Sequence, residues 1–74
     1  MTIEFNLQDE YITLVNLLKY EGIIQTGGEI NNLIENNLIK YNGEVEYRKR
    51  KKLYKNDIIE INYNDNKYII RIKG

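Results

Sequence analysis

The Asn42-Gly43 pair constrains the fold of this chain more than any other feature of the sequence. It lies between two short segments rich in apolar residues, 38–41 and 44–47. Both central positions of a two-residue hairpin turn require positive φ, which Asn and Gly adopt more easily than other residues. The pair therefore predicts an antiparallel hairpin in the middle of the chain.

The rest of the second half predicts two further strands. Apolar and polar side chains alternate along residues 58–63 and again along residues 67–72, as expected for strands with one buried face. Turn-forming residues at 54–57 and 64–66 separate these segments. The last strand, residues 67–72, is a candidate sheet edge that is available for pairing.

The first half predicts one strand and a short helix. Residues 3–7 alternate between apolar and polar side chains, which is typical of a half-buried strand. We expect the helix to follow Thr13 as its N-cap, to run to about Tyr20, and to be closed by Gly22 at the left-handed position. A helix this short is unstable in isolation, so it must pack against other elements.

A second short helix is expected to begin at Thr26-Gly27-Gly28-Glu29, which fits the capping box. Glycine costs about 1 kcal/mol more than alanine inside a helix, so two adjacent glycines need an explanation. Either a phosphate approaches the bare amides, or the backbone packs closely on the first helix. Together the elements predict a single α+β domain over residues 1–74, with two short helices packed on a small antiparallel sheet.

Composition excludes several classes of chemistry. The chain has 74 residues and contains no cysteine, histidine or serine, so disulfides, the usual zinc sites and the familiar nucleophilic triads cannot form. We therefore expect no enzyme, no metal and no cofactor. No apolar run approaches the ~20 residues needed to cross a bilayer, and there is no signal peptide, so a cytoplasmic protein without a membrane partner is expected.

The charge distribution is asymmetric although the net charge is zero. Residues 1–38 hold one cation against six acids, a net charge of −5, whereas residues 39–74 hold ten cations against five acids, a net charge of +5. Five consecutive cations, Arg48 to Lys52, are followed closely by Lys55. Such a run is often only a solvated face, but here it follows a hairpin and contrasts with an acidic first half, which favours phosphate contact.

Several of these segments, in this order, resemble the S-four (S4) RNA-binding domain, also named the alpha-L motif. The resemblance extends over about residues 3–72 and is closest to the small stand-alone bacterial proteins of the YaaA and YbcJ type. It rests on the segments Leu17-Leu18-Lys19, Thr26-Gly27-Gly28-Glu29, Tyr41-Asn42-Gly43-Glu44-Val45-Glu46 and Lys52-Leu53-Tyr54-Lys55-Asn56-Asp57.

The resemblance implies that structured RNA, such as ribosomal or transfer RNA, binds along a helix corner and an adjoining loop, with possible contacts to ribosomal proteins. Carried over by position, the predicted RNA-binding residues are Lys19, Thr26, Gly27, Gly28, Asn31, Asn32, Asn42, Arg48, Lys49, Arg50, Lys51, Lys52 and Lys55. Two features depart from the family. Glu29 lies where many members have cations, and Lys55-Asn56-Asp57 replaces a Pro-Gly-Asp turn, in which Asn56 can still adopt the αL conformation.

Other interpretations stay open. Tyr47 and Tyr54 bracket the cationic run and are candidates for stacking on RNA bases. The protein could instead be an interaction module of the same fold with little RNA affinity, whose cationic loop meets an acidic protein surface. A ubiquitin-like sulfur carrier is a third class, but the chain ends Ile72-Lys73-Gly74 and lacks the Gly-Gly tail of such carriers.

Overall fold

A computed structural model describes all residues from Met1 to Gly74 and contains two helices and seven strands. In chain order these elements are β1 (Thr2–Asn6), β2 (Ile12–Thr13), α1 (Leu14–Tyr20), α2 (Glu29–Glu35), β3 (Ile39–Tyr41), β4 (Glu44–Val45), β5 (Lys52–Leu53), β6 (Ile58–Tyr63) and β7 (Asn66–Lys73). The α+β class predicted from the sequence is confirmed. Neither helix is long and apolar enough to cross a membrane.

Five of the strands form one sheet in the order β1-β7-β6-β3-β4. The pairs β3–β4, β3–β6 and β6–β7 are antiparallel, but β1 runs parallel to β7, with Thr2 opposite Ile69 and Asn6 opposite Lys73. The prediction that the last strand forms a sheet edge is therefore wrong. The chain between β1 and β7 is long enough to provide the crossover that a parallel pair requires, so β1 covers that edge.

Strands β2 and β5 form a separate two-stranded sheet that the sequence did not predict. Ile12 pairs with Leu53, and Thr13 pairs with Lys52. Strands of two residues are too short to show an alternating pattern, so the pairing leaves no signal in the sequence. The small sheet joins the start of α1 to the end of the cationic run.

The core contains thirteen buried apolar side chains, contributed by both helices, the connection between them, β3, β5, β6 and β7. Leu14, Leu17 and Leu18 of α1 are buried, as their spacing predicts, and so are Ile30 and Leu33 of α2. The alternating residues of β6 and β7 that face these helices are also buried. The helices therefore gain their stability from packing on the sheet.

Backbone conformation confirms the predicted turns. Asn42 and Gly43 have φ values of 49° and 91°, as expected for a two-residue hairpin turn, and Asn56 is left-handed with φ of 77°. Gly22 has φ of 74° and ends α1 in a Schellman motif. Its amide donates to the Lys19 carbonyl, and the amide of the next residue donates to the Leu18 carbonyl.

Candidate nucleic-acid interface

The cationic run Arg48–Lys52, named here the basic loop, is attached by its backbone to the start of α1. The Leu14 amide donates to the Lys51 carbonyl (2.9 Å), and the Val15 amide donates to the Lys49 carbonyl (3.0 Å). The first amides of a helix have no partner within the helix, so these loop carbonyls complete α1. The loop is thus held at a defined place while most of its side chains remain exposed.

The predicted N-cap position of α1 is confirmed, but the side-chain bond expected there does not form. Thr13 occupies the N-cap position of α1, but its hydroxyl makes no capping bond. An N-cap side chain can accept a hydrogen bond from the amide two residues later, here that of Val15. The Val15 amide already donates to the Lys49 carbonyl of the basic loop. The Thr13 Oγ1 atom is buried without a hydrogen-bond partner.

The side chains of the basic loop surround a shallow cleft of about 500 Å³. The cleft is lined by Arg48, Arg50, Lys51, Lys52 and Tyr54. Lys49 is also exposed, and neither Lys49 nor Arg50 forms an ion pair within the protein. The structure therefore gathers four of the five cations of the basic loop around one cleft, and among these four only Arg48 has an ion-pair partner.

Two of the lysines lie over aromatic rings. The Lys51 Nζ is 4.7 Å from the centroid of the Tyr41 ring, and the Lys52 Nζ is 4.7 Å from that of Tyr11. A cation at this distance is attracted to the face of the ring. These contacts orient both ammonium groups without neutralising them.

Tyr11 is the residue of this site that sequence reasoning missed. Its ring centroid lies 6.2 Å from that of Tyr54, one of the two predicted stacking residues. Tyr11 is distant from the basic loop in sequence and is brought there by the β2–β5 pairing. Tyr47, the other predicted stacking residue, is 65% exposed, and Tyr54 is 43% exposed. Both therefore have accessible ring surface.

One acidic residue, Glu46, lies next to the basic loop and binds Arg48. Glu46 is the only buried charged residue of the protein. Its Oε2 accepts hydrogen bonds from the backbone amide and from the Nε of Arg48, both at 2.9 Å. Burial raises the pKa of Glu46, but the hydrogen bonds and charge of Arg48 outweigh that effect, so the pKa lies below its usual value. One edge of the Arg48 guanidinium is thus already occupied.

Asn42, a predicted RNA-binding residue, uses its side chain inside the protein. Its Nδ2 donates to Asp57 (3.2 Å), and its Oδ1 accepts from the Ile58 amide (2.8 Å). Asp57 also accepts from the Tyr54 amide (2.8 Å) and from the Tyr41 hydroxyl (3.1 Å). The network joins the β3–β4 turn to the turn before β6, which gives Asn42 a structural role beside the basic loop.

A carboxylate of the protein itself binds two amides next to the predicted anion site at the start of α2. Glu29 Oε1 accepts hydrogen bonds from the amides of Gln25 (2.9 Å) and Thr26 (3.1 Å), which lower the pKa of Glu29. Its Oε2 accepts from the Tyr63 hydroxyl (3.2 Å). Only half of the capping box forms, because the Glu29 amide donates to the Thr26 carbonyl (3.3 Å) and not to the Thr26 hydroxyl.

Close packing does not account for the two glycines of this turn. A Cβ atom placed on Gly27 would meet nothing within 4 Å, and one on Gly28 would meet only the Thr26 Oγ1, at 3.9 Å. Of the two explanations raised by the sequence, contact with the first helix is therefore excluded. Approach of a ligand to this backbone remains a prediction.

The basic loop and the start of α2 are associated with opposite ends of strand β6. Tyr41, which contacts the loop, lies opposite Ile59, whereas Tyr63, which contacts Glu29, ends the strand. Four residues of strand span ~13 Å. The structure does not join the two places into one pocket.

The remaining predicted residues are exposed and lie apart from the basic loop. Lys19 is in the last turn of α1, where its positive charge interacts favourably with the negative end of the helix dipole. Asn31 is exposed on α2, and Asn32 accepts a hydrogen bond from the Asn36 side chain (2.8 Å). The aliphatic part of the Lys55 side chain lies against Gly74. A Cβ atom placed on Gly74 would be 3.0 Å from the Cδ of Lys55.

The structure is a small α+β domain with an exposed cluster of cations at the basic loop. No group of three or more acidic side chains is arranged to hold a metal ion. Residues 5–71 match the S4 domain family, and the chain therefore belongs to that family. S4 domains are in general RNA-binding and non-catalytic. No curated protein matches the chain.

Proposed function

We propose that the protein docks on structured RNA, of ribosomal or transfer type, through the basic loop and without catalysis. The observation that carries this proposal is the attachment of the loop to α1. The carbonyls of the loop accept hydrogen bonds from the amides of Leu14 and Val15. This attachment holds the loop in place while its cations stay exposed around the shallow cleft that Tyr54 also lines. An RNA partner of this type would place the protein in the cytoplasm, near the ribosome and its proteins.

The chemistry of the cleft favours recognition of phosphate spacing and shape. Cations that contact phosphates release condensed counterions, and this term supplies much of the affinity for nucleic acids. Arg50 is free to form two parallel bonds to a phosphate, whereas Arg48 shares its guanidinium with Glu46. Duplex RNA hides its base edges in a deep groove, so backbone contacts suit it better than base contacts.

A second strip would hold an adjacent stretch of RNA backbone through Lys19, Thr26, Gly27, Gly28, Asn31 and Asn32. Glu29 opposes this contact, because its carboxylate occupies two amides of the turn and repels phosphate. We therefore assign the strip a minor share of the affinity. Gly28→Ala tests it, since the added methyl group meets open space in the protein but would obstruct a phosphate.

The direct test is the salt dependence of RNA binding. A labelled RNA hairpin is titrated at several salt concentrations, with duplex DNA of equal length for comparison. Binding that prefers RNA, with a log-log slope of about −3 to −5, is expected for several phosphate contacts. Lys49→Gln combined with Arg50→Gln should make the slope shallower by about 2, whereas Lys40→Gln combined with Arg71→Gln removes equal charge outside the loop. An equal effect of both pairs would contradict the proposed site.

A protein-interaction module is the alternative function, and the placement of Glu29 and Glu46 favours it. Each carboxylate competes with phosphate at a predicted contact. In that case the basic loop would bind an acidic protein surface. Failure of the RNA hairpin to bind even at low salt, together with capture of an acidic partner that RNA does not displace, would support this alternative.

A further inference from the structure

A second groove, of about 910 Å³, lies between the end of β1 and α1. It shares no lining residue with the cleft of the basic loop, but Tyr11, whose ring contacts Lys52, forms part of its wall. Its apolar surface comes mainly from Phe5, Leu7, Tyr11 and Tyr20. Phe5 and Tyr20 contact each other edge to face, with ring centroids 5.1 Å apart. Tyr20 is nevertheless 73% exposed, so its ring offers accessible apolar surface beside the groove.

The charged residues that line this groove are all acidic: Glu4, Asp9, Glu10 and Glu21. Glu4 has one ion-pair partner, Lys73, at 3.5 Å, and the other three acids have none. The groove therefore presents uncompensated negative charge around an apolar wall. Such a surface repels a polyanion and attracts a cationic partner.

An open sheet edge runs along the same groove. Strand β1 is the first strand of the sheet and pairs only with β7. Met1 and Leu7 bond towards β7 through their main chains, so the alternate residues Thr2, Glu4 and Asn6 direct their amides and carbonyls away from the sheet. Glu4 and Asn6 also line the groove, so the open edge adjoins the groove at these two residues.

We propose that this groove binds an extended segment of a partner protein. The segment is rich in lysine and arginine and adds a strand to the open edge of β1. The open edge provides main-chain hydrogen bonds, and the apolar wall accepts alternate side chains. The acidic rim selects cationic residues at the positions between them. This occupant is distinct from the RNA of the basic loop, so the domain would join an RNA to a cationic protein segment on two oppositely charged surfaces.

The probe is a fluorescein-labelled short peptide of alternating lysine and valine, titrated by anisotropy in the absence of RNA. Asp9→Asn combined with Glu10→Gln should weaken its binding about three- to tenfold, because two ion pairs are lost. Neither side chain makes a hydrogen bond within the protein, so the variant should remain folded. Glu35→Gln combined with Glu44→Gln removes the same charge elsewhere and should leave binding nearly unchanged.

Amide chemical shifts identify the place of binding. We expect the largest changes at Thr2, Glu4, Asn6 and Asn16, and loss of binding when proline replaces the valines, because proline removes the donors. Equal binding of a glutamate–valine peptide, or equal weakening by both pairs of variants, would overturn the proposal. Self-association abolished by Lys49→Gln with Arg50→Gln would also overturn it, since a second copy's basic loop would then be the occupant.

Discussion

Replacing Glu46 by Gln should destabilise the domain although the shape of the side chain hardly changes. The side chain of Glu46 is only 7% exposed, and its carboxylate accepts the backbone amide of Arg48 at 2.9 Å. A neutral amide retains one acceptor atom but loses the negative charge that strengthens this bond. The guanidinium of Arg48 is largely exposed, so its ion pair is screened by solvent and we leave it out of the sum.

The expected loss in free energy of unfolding is about 1 kcal/mol. A hydrogen bond to a charged group contributes roughly 1.5–3 kcal/mol and a neutral one about 1 kcal/mol, so the difference is on the order of 1 kcal/mol. In a domain of this size, 1 kcal/mol lowers Tm by about 4–8 °C. Thermal and urea unfolding followed by circular dichroism measure both quantities.

The same loss should appear in the wild-type protein when acid protonates Glu46. The folded-state pKa of Glu46 lies below its ordinary value of 4.5, so the folded protein binds fewer protons than the unfolded chain as pH falls. The stabilising contribution is therefore fully present above about pH 4.5 and is lost as the pH falls through the folded-state pKa. Glu46→Gln should flatten this part of the stability curve.

Glu44→Gln is the matched control, because Glu44 is exposed on the same hairpin and makes no hydrogen bond with its side chain. It should leave Tm within about 2 °C of the wild type, as expected for an exposed surface substitution. If Glu46→Gln were as stable as the wild type at pH 7, or retained the full acid dependence below pH 4.5, the assigned role of Glu46 would be refuted.

Four further substitutions test the core and the helix ends by urea denaturation. Leu17→Ala should cost about 2–5 kcal/mol, because Leu17 is fully buried and its removal leaves a cavity; a loss below 1 kcal/mol would contradict the packing. Thr13→Val should stabilise the domain by about 1 kcal/mol, since it removes a buried hydroxyl without a partner, and a decrease would indicate an unseen hydrogen bond. Gly22→Ala should lower the free energy of unfolding by about 1 kcal/mol, because Gly22 has a left-handed φ. Gly28→Ala should be neutral or stabilising, because Gly28 has a negative φ and open space around its Cα. An equal loss of stability in both variants would refute this distinction.

Local signals explain which parts of the fold the sequence predicted. The turn at Asn42-Gly43, the helix end at Gly22 and strand β6 each depend on a few adjacent residues whose conformational preferences agree. Strand β6 was predicted with the same bounds that the structure has, Ile58–Tyr63. The prediction that the last strand is a sheet edge was wrong, because the β1–β7 pair joins the two ends of the chain and no local pattern encodes it.

The candidate site divides in the same way. The sequence identified the basic loop as a run of cations, but not that its carbonyls would bind the first amides of α1 or that Tyr11 would lie beside it. It identified Thr26 to Glu29 as a capping box, and the bond from the Thr26 amide to the Glu29 carboxylate forms as predicted. It did not show that the Tyr63 hydroxyl would donate to the same carboxylate. Hydrogen bonds between distant residues depend on the folded geometry.

By itself, the sequence determined the α+β class, the turns, the helix faces and the separation of negative from positive charge along the chain. These properties follow from side-chain preferences and periodicity, which act over a few residues. Only the tertiary structure decided that β1 would be an open edge beside an acidic groove, and that the cations would surround a cleft attached to α1. Both surfaces arise from contacts between segments that are distant in sequence. The geometry of these contacts is set by the packing of the shared core, and no single segment specifies that geometry.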